Sequence, residues 1–189
     1  MANENKVQFN LLNVHYAKLT PDAQGAPTYA TPVHVPGAVT LTLDPAGSME
    51  PFYADGIVYY MGAVNSGYSG SLEMARFPDQ MLQDIWNFTL DTDNILHENA
   101  NVEASEFALL YQIDGDQDET LFCLYRCMGT KPGIGSTTNT DSKTPQTQTS
   151  NITAAAIPAG TLAGRVLSKT SANTTSAKKA AWFDAVPTA

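Results

Sequence analysis

The sequence predicts a mainly β fold: a β-sandwich or barrel-like sheet with one helix packed on its side, plus long loops and terminal arms. Several apolar stretches alternate with polar residues at the period of a strand, and one stretch has the period of an amphipathic helix. Segments rich in Gly, Pro, Ser and Thr separate these stretches. A chain of 189 residues can bury a proper core, so we predict a single domain over 1–189.

Alternating apolar residues predict the first strands over 6–16 and 37–43, on either side of a Pro-, Gly- and Ala-rich loop. In the second of these strands, Val39, Leu41 and Leu43 alternate with threonines, so one face is apolar and the other is wetter.

A long loop is predicted over 44–55, because this stretch carries two prolines and a glycine. Loops of this length are uncommon in compact domains and usually have a function. Met49, Phe52 and Tyr53 are too apolar for a disordered segment, so we predict that this loop contacts another subunit.

Two strands are predicted next, over 57–64 and 68–77, joined by a tight turn at Asn65-Ser66-Gly67. Ser and Gly at this point favour a two- or three-residue connection.

A helix is predicted to begin at Pro78, which suits the first helical position. Met81, Leu82, Ile85 and Trp86 form one apolar stripe, so the helix should lie across a sheet with Trp86 as its anchor. The predicted sheet residues beneath it are Leu109, Tyr111 and Leu124.

The clearest hairpin pairs 107–113 with 120–128 around an acidic turn over 114–119. Both strands are apolar on both faces, which predicts a position in the middle of the sheet with cover on two sides. The turn begins like a calcium loop but lacks the sixth-position Gly and the twelfth-position Glu of an EF-hand. A flexible excursion is predicted over 129–147, where apolar residues are few.

Two further strands are predicted over 148–156 and 162–168. The remaining residues, 169–189, are predicted to be a C-terminal arm with a short helix anchored by Trp182 and Phe183.

Nothing in the sequence indicates an enzyme, a cofactor site or a metal site. Cys123 and Cys127 lie four residues apart in a predicted strand, too far to form a disulfide, so we expect buried free thiols. His15, His34 and His97 are distant from one another in sequence, and no Ser or Cys carries a nucleophile signature.

The net charge of −9 is unevenly distributed. Between 77 and 125 there are eleven acidic residues and no Lys or Arg, whereas 126–189 holds seven basic and two acidic residues. A solvated acidic face explains this pattern, and so do acidic and basic sides that meet head to tail between subunits. Overall acidity argues against wrapping nucleic acid, which requires clustered cations.

Five ordered blocks of the sequence resemble the major tail protein family of long-tailed, non-contractile bacteriophages. These blocks are Val7–Lys18, Pro36–Pro78, Glu106–Asp116, Thr144–Thr153 and Trp182-Phe183. The resemblance implies a β-sandwich related to the tube proteins of contractile tails and of type VI secretion, with no catalytic residue.

The resemblance also implies that six subunits form a ring and that rings stack into a tail tube, the conduit for DNA ejection. The implied partners are further copies of the chain, a tape-measure protein and tail-terminator or distal-tail proteins, with DNA passing transiently and without specific binding. We expect assembly in the host bacterial cytoplasm, a final location in the virion tail and no membrane insertion. The acids that we predict to line the tube lumen, because no base follows the helix to offset them, are Asp91, Asp93, Glu98, Glu103 and Glu106.

Two other interpretations of a β-rich, non-enzymatic domain stay open from the residues alone. One is another phage structural β-sandwich, such as a decoration or capsid-associated protein. The other is a carbohydrate-binding module, which would require an exposed aromatic platform.

Overall fold

A computed structural model describes residues 8–115, 119–138 and 144–188, and it confirms the mainly β fold class. Nearly all the strands belong to one antiparallel sheet in the order β2-β1-β8-β9-β10-β5-β4, with β3 on β1, β11 on β9, and β6 paired only with β7. The end strands β2 and β4 do not pair with each other within the described ranges, so this sheet is not a closed barrel. The strands are β1 (Leu11–Pro21), β2 (Pro27–Tyr29), β3 (Val33–His34), β4 (Ala38–Ala54), β5 (Ile57–Met74), β6 (Thr89–Leu90), β7 (Leu96–His97), β8 (Phe107–Ile113), β9 (Leu121–Gly129), β10 (Gln148–Ala154) and β11 (Leu167–Lys169). The helices are α1 (Asp79–Trp86) and α2 (Ser176–Ala180).

The hairpin of β8 and β9 lies in the middle of the sheet, as predicted. Successive residues of β8 point into two different buried clusters: Phe107 and Leu109 into one, Ala108 and Leu110 into the other. Because neighbouring side chains of a strand point to opposite faces, the sheet has one cluster on each side. The prediction of two-sided cover is therefore confirmed.

Helix α1 covers the first cluster. Met81, Ile85 and Trp86 are buried, and Leu82 lies half-buried at the rim of the same cluster. The indole Nε1 of Trp86 donates a hydrogen bond to the carbonyl oxygen of Gly129 over 3.0 Å, which ties the helix to the end of β9. The predicted helix and its anchor are thus confirmed, but the helix begins at Asp79, and Pro78 precedes it in an extended conformation instead of occupying its first position.

The C-terminal segment covers the second cluster, so the predicted arm over 169–189 is corrected where it is described. β11 pairs with β9, and Trp182 and Val186 are buried against the same face of the sheet. The indole Nε1 of Trp182 donates to the carbonyl oxygen of Phe122 over 3.3 Å. Neither α1 nor α2, the helices within the described ranges, is long and apolar enough to cross a membrane.

A bulge in β9 separates the two cysteines. The register with β8 shifts by one residue between Leu124 and Cys127, so Cys123 lies in the second cluster and Cys127 in the first. Both are buried free thiols, as predicted, although they do not share a face of the sheet. Burial raises the pKa of both thiols, which keeps them protonated and unreactive.

The beginning of the predicted excursion over 129–147 is attached to the sheet. Gly129 ends β9, and the backbone N–H groups of Thr130 and Gly133 donate to carbonyl oxygens of β10 over 2.8 and 3.2 Å. Residues 139–143 of this segment lie outside the described residues, as do 116–118 of the predicted acidic turn.

The largest correction concerns β4 and β5. Residues 44–54 are strand rather than loop, and the two strands predicted over 57–64 and 68–77 form the single strand β5. The turn predicted at Asn65-Ser66-Gly67 is a bulge inside β5, and the chain reverses at Asp55-Gly56 instead. The first strand is Leu11–Pro21 rather than 6–16: residues 8–10 are not strand, and residues 6 and 7 of the predicted strand lie outside the described residues.

Candidate assembly surface

The β4–β5 hairpin extends well beyond the rest of the sheet. β10 pairs with β5 only over Tyr68–Met74, so residues 47–65 form a two-stranded ribbon that we call the arm. At about 3.3 Å per residue, the arm projects roughly 25 Å from the sheet. Asp55 and Gly56 reverse the chain with φ of 53° and 76°. Two successive positive φ values are typical of the hairpin turn that best matches the twist of paired strands.

Both faces of the arm are apolar. Residues directly opposite each other in an antiparallel pair share a face, so the register assigns each side chain. One face carries Phe52 opposite Tyr60, together with Ile57 and Val64. The other face carries the pairs Met49–Ala63, Pro51–Met61 and Tyr53–Val58.

Nine large apolar side chains of the arm are exposed, from 44% for Val58 to 72% for Tyr59. An isolated two-stranded hairpin is marginally stable in water, and strands that are apolar on both faces normally lie inside a protein. The three residues predicted to contact another subunit, Met49, Phe52 and Tyr53, all lie on the arm and use both of its faces. The arm therefore has the composition of a buried strand pair, although both of its faces are exposed in the single chain.

The edges of the arm are also free. Within the described residues, no strand pairs with the outer edge of β4 over 47–54 or of β5 over 57–67. Exposed edges of soluble sheets usually carry lysines that prevent pairing with other chains. The arm carries no Lys or Arg, only Glu50 and Asp55, so Pro51 is the main obstacle to edge pairing.

The base of the arm is fixed by a bulge at Ser66. Gly67 has a φ of 97°, and a Cβ atom added there would lie 1.9 Å from the carbonyl oxygen of Ala154. The side-chain Oδ1 of Asn65 accepts a hydrogen bond from the backbone N–H of Gly67 over 2.9 Å. A bulge increases local strand twist, so this one sets the direction in which the arm leaves the sheet.

The five predicted lumen acids do not share one environment. The carboxylate of Asp91 accepts hydrogen bonds from the backbone N–H groups of Asp93 and Ile95 and lies 2.9 Å from the ring Nε2 of His97. The hydrogen bond with His97, then those from the backbone, lower the pKa of Asp91. Asp91 therefore stabilises the β6–β7 turn.

Two of the five acids are paired with bases from later in the chain, which corrects the expectation that no base offsets them. Glu98 forms an ion pair with Lys131. Glu106 accepts hydrogen bonds from Nε of Arg126 at 2.8 and 2.9 Å and forms an ion pair with its Nη2 at 2.6 Å.

These pairs join the acidic and basic segments of the sequence inside one subunit. The four groups are thus not available for the head-to-tail attraction that the charge split favoured. Asp93 and Glu103 are exposed, and within the described residues neither has an ion pair.

Most of the arm, including Ile57, Tyr59, Tyr60 and Met61, is not predicted from the sequence, because the apolar run over 57–64 has the pattern of a strand in the body of a sheet. The signal was present: Asp55-Gly56 between two apolar runs is a strong indication of a hairpin turn.

The fold and this surface define a class of protein: an open antiparallel sheet with two-sided cover and a projecting apolar arm. No family model matches the sequence, and no curated protein matches it.

Proposed function

We propose that the protein is a structural subunit of a phage tail tube, which assembles into stacked hexameric rings. The single observation that carries this proposal is the arm, whose two faces and two edges have no partner in the described chain. Soluble monomers rarely expose so much contiguous apolar surface, and a larger patch marks an interaction site. The resemblance of five sequence blocks to the major tail proteins is the reason for proposing stacked rings rather than another type of assembly.

The arm suits a head-to-tail assembly. A ring closes through a heterologous interface, in which one patch of a subunit meets a different patch of the next. An arm that projects roughly 25 Å reaches past the body of its own subunit, so the surface that covers it belongs to another copy. Stacking of rings extends the same type of contact along the tube axis.

The surface charge favours a conduit over a nucleic-acid binder. The chain has a net charge of −9, and its exposed acids Asp93 and Glu103 have no ion pair within the described residues. DNA carries one charge per about 1.7 Å of duplex, so a basic lining would retain it wherever the two touched. A net negative wall repels the phosphates and lets the duplex pass.

The test is the assembly state of the purified, tag-free protein. Negative-stain electron microscopy and light scattering at increasing concentration should show rings or hollow tubes. A protein that stays strictly monomeric at high concentration would contradict the proposal, and one that stays discrete but binds capsids would support a decoration protein instead.

A carbohydrate-binding module is the second candidate, because the arm exposes aromatic rings. Phe52 and Tyr60 are neighbours on one face, with exposed fractions of 60% and 66%. Sugar recognition also requires hydrogen-bonding groups beside the rings. The same face continues with Ile57 and Val64, so it favours a protein partner. Binding of the isolated protein to polysaccharides without assembly would reverse this preference.

A further inference from the structure

We propose that His15 and His34 form a bidentate site for a divalent transition metal of the zinc type, with water in the remaining positions. This site is independent of the arm and of the proposed assembly. The histidines are distant from one another in the sequence, which therefore predicts no metal site. The pairing of β3 with β1 brings two of them together, directly opposite each other in antiparallel register.

The separation of the two rings fits a shared metal. Their centroids are 4.9 Å apart and their planes are tilted by 49°. With a Zn–N bond of about 2.0–2.1 Å and a ring centroid about 1.1 Å behind the nitrogen, two imidazoles on one metal have centroids about 4.5–5.2 Å apart. The lower limit corresponds to a right angle at the metal and the upper limit to a tetrahedral one.

The ring nitrogen of His15 that is not assigned to the metal, Nδ1, makes the hydrogen bond that is usual for a histidine ligand. Nδ1 lies 2.8 Å from the carbonyl oxygen of Asn13, which can only accept, so Nδ1 carries the proton. This contact fixes the tautomer and leaves the lone pair on Nε2 for a metal. Histidine ligands of metals typically donate their other ring N–H to a backbone carbonyl in this way. Asn13 has a φ of 51° at a register shift of β1, which turns its carbonyl toward the ring.

One histidine of the site is held by a neighbouring ring and the other is open to solvent. The ring of Phe183 stacks on the face of the half-buried His15 at a centroid distance of 4.5 Å, which orients the imidazole. His34 is exposed. Within the described residues no group of three or more His, Cys, Asp or Glu side chains is placed to hold a metal, so the protein supplies two ligands here. Two imidazoles favour Zn²⁺, Ni²⁺ and Cu²⁺ over Mg²⁺ or Ca²⁺.

The test uses the full chain without a histidine tag, titrated with ZnCl₂ by calorimetry and followed by thermal unfolding. One Zn²⁺ per chain should bind and raise the unfolding temperature. At a free Zn²⁺ concentration ten times Kd, the folded-to-unfolded ratio should rise about elevenfold. Binding should weaken between pH 7.5 and pH 5.5, because protons compete for the imidazoles.

His34→Gln is the decisive variant, because this exposed side chain can be changed with little effect on folding; circular dichroism checks the fold. It should abolish zinc binding, whereas His97→Gln, which changes the exposed histidine beside Asp91, should leave binding intact. With Cu²⁺, electron paramagnetic resonance should show two nitrogen ligands in the wild type. Unchanged binding in His34→Gln, lost binding in His97→Gln, or no Zn²⁺ binding by the wild type would each overturn the proposal.

Discussion

At the residue scale, a few side chains and backbone positions hold the elements in place. Trp86 is 2% exposed, packs edge-on against Phe77 at 5.5 Å and satisfies its indole N–H with the carbonyl of Gly129. It therefore combines apolar burial with a hydrogen bond to the strand beneath it. Its role could be predicted from sequence, because an apolar stripe at helical spacing identifies the buried face.

Replacing Trp86 by Ala should lower the free energy of unfolding by about 3–5 kcal/mol, since it removes a large buried aromatic ring and leaves a cavity. Urea unfolding followed by circular dichroism measures the change. Ile95→Ala, at a position that is 54% exposed, is the matched control and should change stability little. An unaffected midpoint in the Trp86 variant would mean that the helix does not hold the core together.

The glycine at the base of the arm should be irreplaceable. Gly67→Ala combines a positive φ with a Cβ only 1.9 Å from a carbonyl oxygen, so the backbone must shift. We expect a loss of at least about 1–3 kcal/mol. Gly56→Asn is the control, because φ is also positive there but no atom lies within 4 Å of an added Cβ and Asn tolerates this conformation. Equal stability of the two variants in thermal unfolding would contradict the assigned bulge.

His15 should make stability depend on pH. Its folded-state pKa lies below the unfolded value of about 6.5, so the unfolded chain takes up a proton first as the pH falls. The contribution is fully present above about pH 6.5 and is lost as the pH falls through the folded pKa. Urea midpoints in a metal-free buffer with chelator should therefore fall less between pH 7 and pH 5 in His15→Gln than in the wild type. A parallel decline in both proteins would contradict this.

At the element scale, the long hairpin differs most from its sequence-based prediction. Pro45 and Pro51 favour a loop in the sequence, yet β4 is the end strand of the sheet, where a proline can be accommodated because the outer edge needs no backbone N–H for pairing. By contrast, the sequence predicts the bounds of β8 and β9 almost to the residue, because strands that are apolar on both faces fit only the middle of a covered sheet. The ion pairs Glu98–Lys131 and Glu106–Arg126 join residues 33 and 20 apart, so no local pattern could reveal them.

The arm should be needed for assembly and not for folding. Changing Phe52→Ser together with Tyr53→Ser removes apolar area from both faces of the arm, outside either buried cluster. We expect a subunit with unchanged unfolding that no longer polymerises, as measured by light scattering and electron microscopy.

The control is Ile134→Ser, because this side chain is 95% exposed and lies outside the arm. It should assemble like the wild type. Normal polymerisation of the arm variant would show that the arm is not an interface.

At the scale of the whole molecule, the middle strands β8 and β9 are covered on both faces, whereas the arm is covered on neither face within the described residues. This contrast in burial favours the proposal that another copy of the chain covers the arm. The alternation of apolar and polar residues predicted a β-rich protein, whereas the position and size of the arm required the register of β4 and β5. The ion pairs Glu98–Lys131 and Glu106–Arg126 lie within one chain, so these four groups do not contribute to the proposed head-to-tail attraction.

Assembled tubes should not bind DNA. Anisotropy titration of labelled duplex at low salt should show no binding, because the predicted net negative wall repels phosphates within a screening length of about 10 Å at 0.1 M salt. Binding that weakens steeply with salt would mean a basic wall instead.

The central claim is that the arm is buried against another copy of the chain, and a cryo-electron microscopy reconstruction of the assembled protein tests it most directly. We predict six subunits per ring, stacked rings, and density in which Met49, Phe52 and Tyr53 lie against a neighbouring subunit. An assembly whose arm extends into solvent, or a protein that forms no rings under any condition, would contradict the account.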